Sequence, residues 1–300
     1  MEDGIRNLGK AFIVTALVLA TQLVGWQLSN SLALLGDSAH VFSDVLSIGA
    51  SLSAMWLALR RPSGRRTFGF HRVEVFAALF NGVLLVLMGG LILYEALERF
   101  GTGYAISPLP MLVTALIGLA GNLYVVYHLQ HEEDLNTRSA FIHAAGDALS
   151  SIGVMIGAVL IMLTGQYMID IAISVAVAGI ILFSAYRVLR ASLSILLESA
   201  PYGASTDKIE KAVMSVKGVK GVHDIHVWRT CSELIFAMMH VEMENVKLAE
   251  TRAVAHGIEH ALNERFHISH VTIQFEPYGC SCQNQERCNV LLHKKKGHSH

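Results

Sequence analysis

Two stretches of this chain place a histidine and an aspartate four residues apart within apolar runs: His40-Val-Phe-Ser-Asp44-Val-Leu-Ser and His143-Ala-Ala-Gly-Asp147-Ala-Leu-Ser. On an α-helix a spacing of i and i+4 stacks two side chains on one face, about 6 Å apart along the axis. Each stretch therefore offers one imidazole nitrogen and one carboxylate oxygen to a common point. Two such helices facing each other supply a full tetrahedral shell for Zn2+, whose bonds to His and Asp run to about 2.0–2.2 Å. An ionised Asp in mid-membrane costs about 2.5–3.5 kcal/mol on insertion scales, and a bound dication offsets that cost. The alternative is an interhelical hydrogen-bond clamp without metal. Asp37, one turn before His40, is a further candidate. It reads either as the first ligand an incoming ion meets or as a helix-start or hydrogen-bonding group.

The elements that must carry these pairs are membrane helices. The chain has 300 residues, 53% hydrophobic and only 16% charged, with a mean hydropathy of +0.46, whereas soluble domains carry about 25% charged residues. Apolar stretches at 10–29, 32–59, 73–98, 108–130, 139–163 and 167–186 each approach or exceed the ~20 residues a helix needs to cross ~30 Å of hydrocarbon. No small-residue cleavage site follows the first stretch closely, so it reads as an anchor and not a removable signal. The loop after the second stretch holds Arg60, Arg61, Arg65, Arg66 and Arg72, while the junctions at 29–31 and 164–167 hold no basic residue. That asymmetry puts the loop, and with it both termini, in the cytoplasm. Gly49, Ala50, Ser51 and Ser53 follow the first pair, and Gly146, Ser150, Ser151, Gly153 and Gly157 surround the second. These small residues predict closely packed helices, with a GxxxG spacing at 153–157.

Beyond the sixth stretch the composition turns polar. Residues 206–219 read as an amphipathic helix, "VHDIHVWRT" and "LIFAMMHVEM" as strands, "LAETRAVAHGIEHALNERF" as a second helix and "HVTIQFEP" as a third strand. The order α-β-β-α-β predicts a small α+β domain with helices on one face of a sheet. The fold class is thus a six-helix α transmembrane bundle plus a small cytoplasmic α+β domain. The expected boundaries are a transmembrane domain at 1–190, a linker at 191–204, the α+β domain at 205–278 and a Cys/His-containing tail at 279–300.

Further ligand candidates lie outside the membrane stretches. His256 and His260 are again i,i+4, a two-imidazole helix face. Cys280, Cys282 and Cys288 cluster in the tail with His298 and His300 beyond them. In a reducing compartment such thiols read more often as metal ligands than as disulfides, with thiols lacking a function as the alternative. His71, beside Arg72 and Glu74, is a loop metal candidate set against a lipid-facing or gating role. The formal net charge of −1 gives no reason to expect a nucleic-acid partner.

The segments "SLALLGDSAH", "TFGFHRVE", "NTRSAFIHAAGDALSSIGV", "VHDIHVW" and "TIQFEP" together carry a resemblance to the cation diffusion facilitators. These are six-span divalent-metal/proton antiporters with a cytoplasmic metal-binding domain. The resemblance implies that His40, Asp44, His143 and Asp147 form the transport site, and two histidines there resemble the zinc-transporting branch. In the cytoplasmic domain it implies His223, His240 and His256 as ligands; Gln274 stands where some relatives carry a histidine, with Glu276 two residues on. This chain departs from the family pattern in its arginine-rich 60–72 loop and in the CxC-x5-C spacing of its tail. The link at 128–134 lacks a long histidine-rich insert, which points to a bacterial or archaeal membrane.

The resemblance thus implies a homodimeric exporter in the plasma or inner membrane that exchanges Zn2+ for protons by alternating access. Zn2+ is then substrate and regulatory ligand, with no organic cofactor; the partners are divalent ions, protons, the lipid bilayer and a second copy. Two rival classes stand beside it. One is a membrane metal sensor, and the other a metal-dependent intramembrane enzyme whose His2Asp2 site activates water. Catalytic zinc normally keeps one position open beside three protein ligands, and no separate nucleophile or general-base motif accompanies the pairs, so the chain is expected not to be an enzyme.

Overall fold

A computed structural model describes residues 2–58, 67–102, 104–129, 135–232 and 234–279, except for the side chains of 2–8, 51, 54–58, 128–129 and 135–145. The chain divides into two compact units, Met1–Leu193 and Ser194–His300. The first holds the long helices α1 (Glu2–Ser29), α2 (Leu32–Ala58), α3 (Arg72–Arg99), α4 (Pro108–Leu129), α5 (Leu135–Thr164) and α6 (Met168–Leu196).

Among the described residues, five segments are long and apolar enough to cross a membrane: Gly9–Ser29, Arg72–Arg99, Pro108–Tyr127, Gly146–Thr164 and Met168–Leu196. The helix missing from that set is α2, whose first half carries Asp37, Ser38, His40, Ser43 and Asp44. It tolerates these groups because it packs against α1, α3 and α5, which shield it. The surface is apolar, and the interior sets polar groups among apolar packing. Ile13, Leu17, Val24 and Leu28 of α1, Leu87 and Leu91 of α3, and Ile180 and Phe183 of α6 are exposed, while Gln22, Asp37, Asn81, Asp147, Ser151 and Asp170 are buried. That distribution suits a lipid solvent, which rewards apolar side chains outside and forces polar groups to find partners within. Exposed Tyr94 marks one end of the helices, and exposed Tyr124, Tyr127 and Tyr186 the other, as expected of residues at a membrane interface.

Glycines set the closest helix contacts. A Cβ on Gly25 would run into Thr114, and one on Gly121 would stand 2.5 Å from Val18 Cγ2, so α1 and α4 meet through them. Gly82 and Gly89 of α3 leave room for Leu189 and Leu182 of α6, and Gly157 of α5 for Ile173. Gly146 and Gly153, expected to admit a neighbour, meet no described atom within 4 Å. Gly25→Ala should therefore destabilise the folded protein by about 1–3 kcal/mol through overpacking. Gly90→Ala, which meets nothing within 4 Å, should be neutral or stabilising by about 0.5–1 kcal/mol, as alanine is the better helix former. Thermal unfolding of the two variants in one detergent checks the opposite signs.

The sixth helix overruns its expected end. It continues past Arg187 and Arg190 to Leu196, because arginine is a good helix former, so the first residues expected as linker at 191–204 are helical. The expected helix at 206–219 instead closes at Met214, and the chain turns through Gly218 at φ 103° before Val219 opens a strand.

The second unit follows the order α7 (Thr206–Met214), β1 (Val219–Arg229), β2 (Ile235–Met243), α8 (Leu248–Phe266) and β3 (His270–Pro277). Its sheet has the order β1-β2-β3, with β1 antiparallel and β3 parallel to the central β2. Ala237, Met239 and Val241 of β2 pack against Ile209 and Val213 of α7 and Ile258 and Leu262 of α8. Strand alternation then turns Met238, His240 and Glu242 to the other face. Both helices cover one face, and the histidines lie on the face they leave open.

Candidate metal centres

Packing of α2 against α5 brings one member of each His/Asp pair together. His40 Nε2 lies 2.8 Å from Asp147 Oδ1. With Asp44 they form a group whose ligand atoms all lie within 4.8 Å of one another. His40 and Asp44 are half-buried and Asp147 is 8% exposed. A tetrahedral ion with bonds of about 2.0–2.2 Å holds its ligand atoms about 3.3–3.6 Å apart, so one dication fits this set once the His40–Asp147 pair spreads and Asp44 adjusts to match. His143 sits on α5 one turn before Asp147, and its side chain lies outside the described residues.

Asp37 has a different place from that of a ligand open to incoming metal. It is 2% exposed, its Oδ2 accepts from Gln22 Nε2 at 2.6 Å and its Oδ1 from Ser150 Oγ at 2.9 Å. Both oxygens accept from neutral donors, one on α1 and one on α5. On the other side of α2, Asn81 of α3 donates through Nδ2 to Ser43 Oγ at 2.8 Å, next to Asp44. Sequence reasoning passed over Gln22 and Asn81. Their signal is a lone carboxamide in an apolar span, where an unpaired amide is expensive.

The first turn of α2 is held from outside its own helix. Ser31 Oγ donates to Asp170 Oδ1 at 2.5 Å, Leu32 N–H to Oδ2 at 2.8 Å and Ala33 N–H to Oδ1 at 3.3 Å. Asp170, from the first turn of α6, thus caps α2 across space, satisfying amides that a helix start leaves unpaired and placing an anion at its positive end. Tyr104 OH, in the loop between α3 and α4, adds a fourth bond to Asp170 at 3.2 Å. Burial and the Asp170 carboxylate hold the Tyr104 phenol above its usual range, so it remains a donor. Arg99 lies 4.6 Å over the Tyr104 ring and donates to Asn30 O at 2.7 Å, closing the same end of the bundle.

In the second unit, strand register assembles a second cluster. His223 of β1 stands opposite His240 of β2, and Glu242 of β2 opposite Glu276 of β3. Glu276 reaches both histidines: Oε1 is 2.9 Å from His240 Nδ1 and Oε2 is 3.4 Å from His223 Nε2. The ligand atoms of these three all lie within 4.8 Å of one another. Gln274 donates to Glu276 Oε1 at 2.9 Å and orients it. Two carboxylates not expected from the sequence flank the set, Glu242 Oε1 at 3.7 Å from His223 Nδ1 and Asp224 Oδ2 at 3.7 Å from His240 Nε2. Glu242 was legible as the i+2 neighbour of His240 on the same face. Asp224 was not, because it reaches that face through a β-bulge at φ 51°, which breaks the alternation of β1.

His256 and His260 join no ligand group among the described residues. Both are exposed on α8, whose Ile258 and Leu262 face the opposite side of the sheet, and His260 Nδ1 lies 3.5 Å from Glu264. His71 is half-buried before the first turn of α3, makes no side-chain cap bond, and joins no ligand group among the described residues. Cys280, Cys282, Cys288, His298 and His300 lie outside the described residues.

Apolar-surfaced helices around a His/Asp cluster, joined in sequence to an α+β unit with a His/Glu cluster, have the build of a membrane carrier for metal cations. Comparison with known proteins agrees. Residues 10–197 match the family model of the cation efflux transmembrane domain, and residues 201–278 that of the cation efflux protein, cytoplasmic domain. A cadmium, cobalt and zinc/H(+)-K(+) antiporter of Bacillus subtilis is 33% identical over 295 residues, 97% of this chain and 94% of the relative. Zinc transporter ZitB of Pectobacterium atrosepticum is 32% identical over 301 residues, 98% of this chain and 93% of the relative. A solved structure of the metal-bound C-terminal domain of the CzcD transporter from Cupriavidus metallidurans is 33% identical, covers 24% of this chain and 99% of its own, and has a TM-score of 0.22. The chain belongs to the cation efflux family, the cation diffusion facilitators, and is a multi-pass membrane transporter and not an enzyme.

Proposed function

We propose that the protein exports Zn2+, and with it other divalent transition metals, from the cytoplasm in exchange for protons. His40, Asp44, His143 and Asp147 are the transport site. Both termini face the cytoplasm, and the exporter works as a homodimer in the cell membrane. The observation that carries this reading is the 2.8 Å contact between His40 Nε2 and Asp147 Oδ1 inside the helix bundle, with Asp44 in reach of both. A contact that short holds one proton between nitrogen and oxygen. A zinc ion bonded to both atoms spreads them to about 3.3 Å, so proton and metal exclude each other at the same point. Loading from the cytoplasm therefore releases protons, and protons arriving from the far side displace the metal. Rocking of the helices between two openings completes the cycle.

The cluster of His223, His240 and Glu276 is the regulatory site of this reading. Metal there acts on the transport unit through its differential affinity for the states of the dimer. The names of the relatives, a cadmium, cobalt and zinc antiporter and a zinc transporter, support the choice of cargo.

Everted membrane vesicles test the exchange. Zinc uptake should rise several-fold when the vesicle interior is made acidic and fall to the background rate when nigericin collapses the gradient. Uptake indifferent to the gradient refutes the antiport.

A further inference from the structure

Among the contacts that join α2 to α5 in the described residues, two have the spacing of successive helical turns. His40 Nε2 meets Asp147 Oδ1 at 2.8 Å. Three residues back along α2 and three forward along α5, Ser150 Oγ donates to Asp37 Oδ1 at 2.9 Å. The opposite sense of these steps makes the two helices antiparallel, with the second contact ~4.5 Å from the first along their axes. The other oxygen of Asp37 accepts from Gln22 Nε2 at 2.6 Å, so α1 is bound into the same layer. Gly118 of α4 leaves the space that Gln22 fills, since a Cβ there would stand 3.0 Å from Gln22 Nε2.

A carboxylate 2% exposed and held by two neutral donors is costly in a medium of low dielectric. Asp37 does not belong to the group of ligand atoms gathered by His40, Asp44 and Asp147. We propose that Asp37 is a positioning residue for metal transport: by tying α2 to α5 through Ser150 and to α1 through Gln22, it fixes the register in which His40 meets Asp147. This rests on the assignment of the transport site above. A rotation of α2 by one residue would swing His40 by about 100° away from Asp147, whereas metal bonds tolerate only about 0.2 Å. A layer one turn away that spans the same two helices opposes that rotation.

The test is the zinc dependence of initial uptake rates in proteoliposomes of the full chain. Asp37→Ala breaks both bonds and should raise KM by about 10–100-fold. Asp37→Asn can keep both, its carbonyl accepting from Gln22 and its amide donating to Ser150 Oγ, and should stay within about threefold of wild type. Ser150→Ala should raise KM by itself and add nothing in the Asp37→Ala background, as expected of partners in one contact. Misfolding lowers the number of working carriers and hence the maximal rate, not KM, so the KM shift separates positioning from a merely structural role. An unchanged KM in Asp37→Ala, or an Asp37→Asn variant as impaired in KM as Asp37→Ala, overturns the proposal. If instead Asp147→Ala carries zinc like the wild type, the assignment of the site itself has failed.

Discussion

Proteoliposomes holding Asp147→Ala should carry zinc at no more than about one-hundredth of the wild-type initial rate. Losing even an outer partner of a metal ligand typically costs about 10–100-fold in affinity, and Asp147 is proposed as a direct ligand and an anion. Asp147→Asn should behave alike, because a neutral amide keeps the shape while removing the charge that balances the dication. The fold should lose stability as well: Asp147 is 8% exposed and pairs with His40 at 2.8 Å, and removing one partner of a buried pair costs up to about 3–5 kcal/mol. Uptake of ⁶⁵Zn, measured beside thermal unfolding of the same preparations, separates loss of the site from loss of the fold. A variant that retains half the wild-type rate removes Asp147 from the machinery.

The second large effect concerns stability. Asp170→Ala should destabilise the membrane unit by roughly 3 kcal/mol, since hydrogen bonds to a charged acceptor are worth about 1.5–3 kcal/mol each and buried donors lose their partner. Asp170 is 0% exposed and accepts from Ser31, Leu32, Ala33 and Tyr104. Asp170→Asn should also destabilise, because its amide turns a donor toward one of the donors now satisfied. At about 2–4 °C per kcal/mol for a unit of this size, the midpoint of thermal unfolding should fall by roughly 6–12 °C. Asp207→Ala, in the exposed first turn of α7, is the control and should change stability by less than about 0.5 kcal/mol. An Asp170→Ala midpoint equal to that of the control removes the cap from the account.

The two HxxxD pairs were legible because helical period and residue chemistry point the same way, and α2 with α5 does bring His40, Asp44 and Asp147 together. The small domain was legible from its alternation, and the element order α-β-β-α-β is the one observed. What the sequence hid were contacts between elements distant in the chain. Ser31 and Asp170 are separated by four intervening helices, and nothing local to either announces a cap. Asp37 read either as an entry ligand or as a hydrogen-bonding group, and only the packing of α1 and α5 supplies the partners Gln22 and Ser150. His256 and His260 share an exposed stripe of α8, and helix periodicity fixes which residues share a stripe and not which stripe meets the strands.

The mixed pairing of the small sheet also sets an order in time. An antiparallel pair joined by a tight connection closes early, on the scale of about 1–10 μs, whereas a parallel pair waits for its crossover helix. His223 and His240 belong to the β1–β2 hairpin, and Glu276 arrives on β3 after α8 has docked. During synthesis the imidazoles are thus aligned before the carboxylate that bridges them.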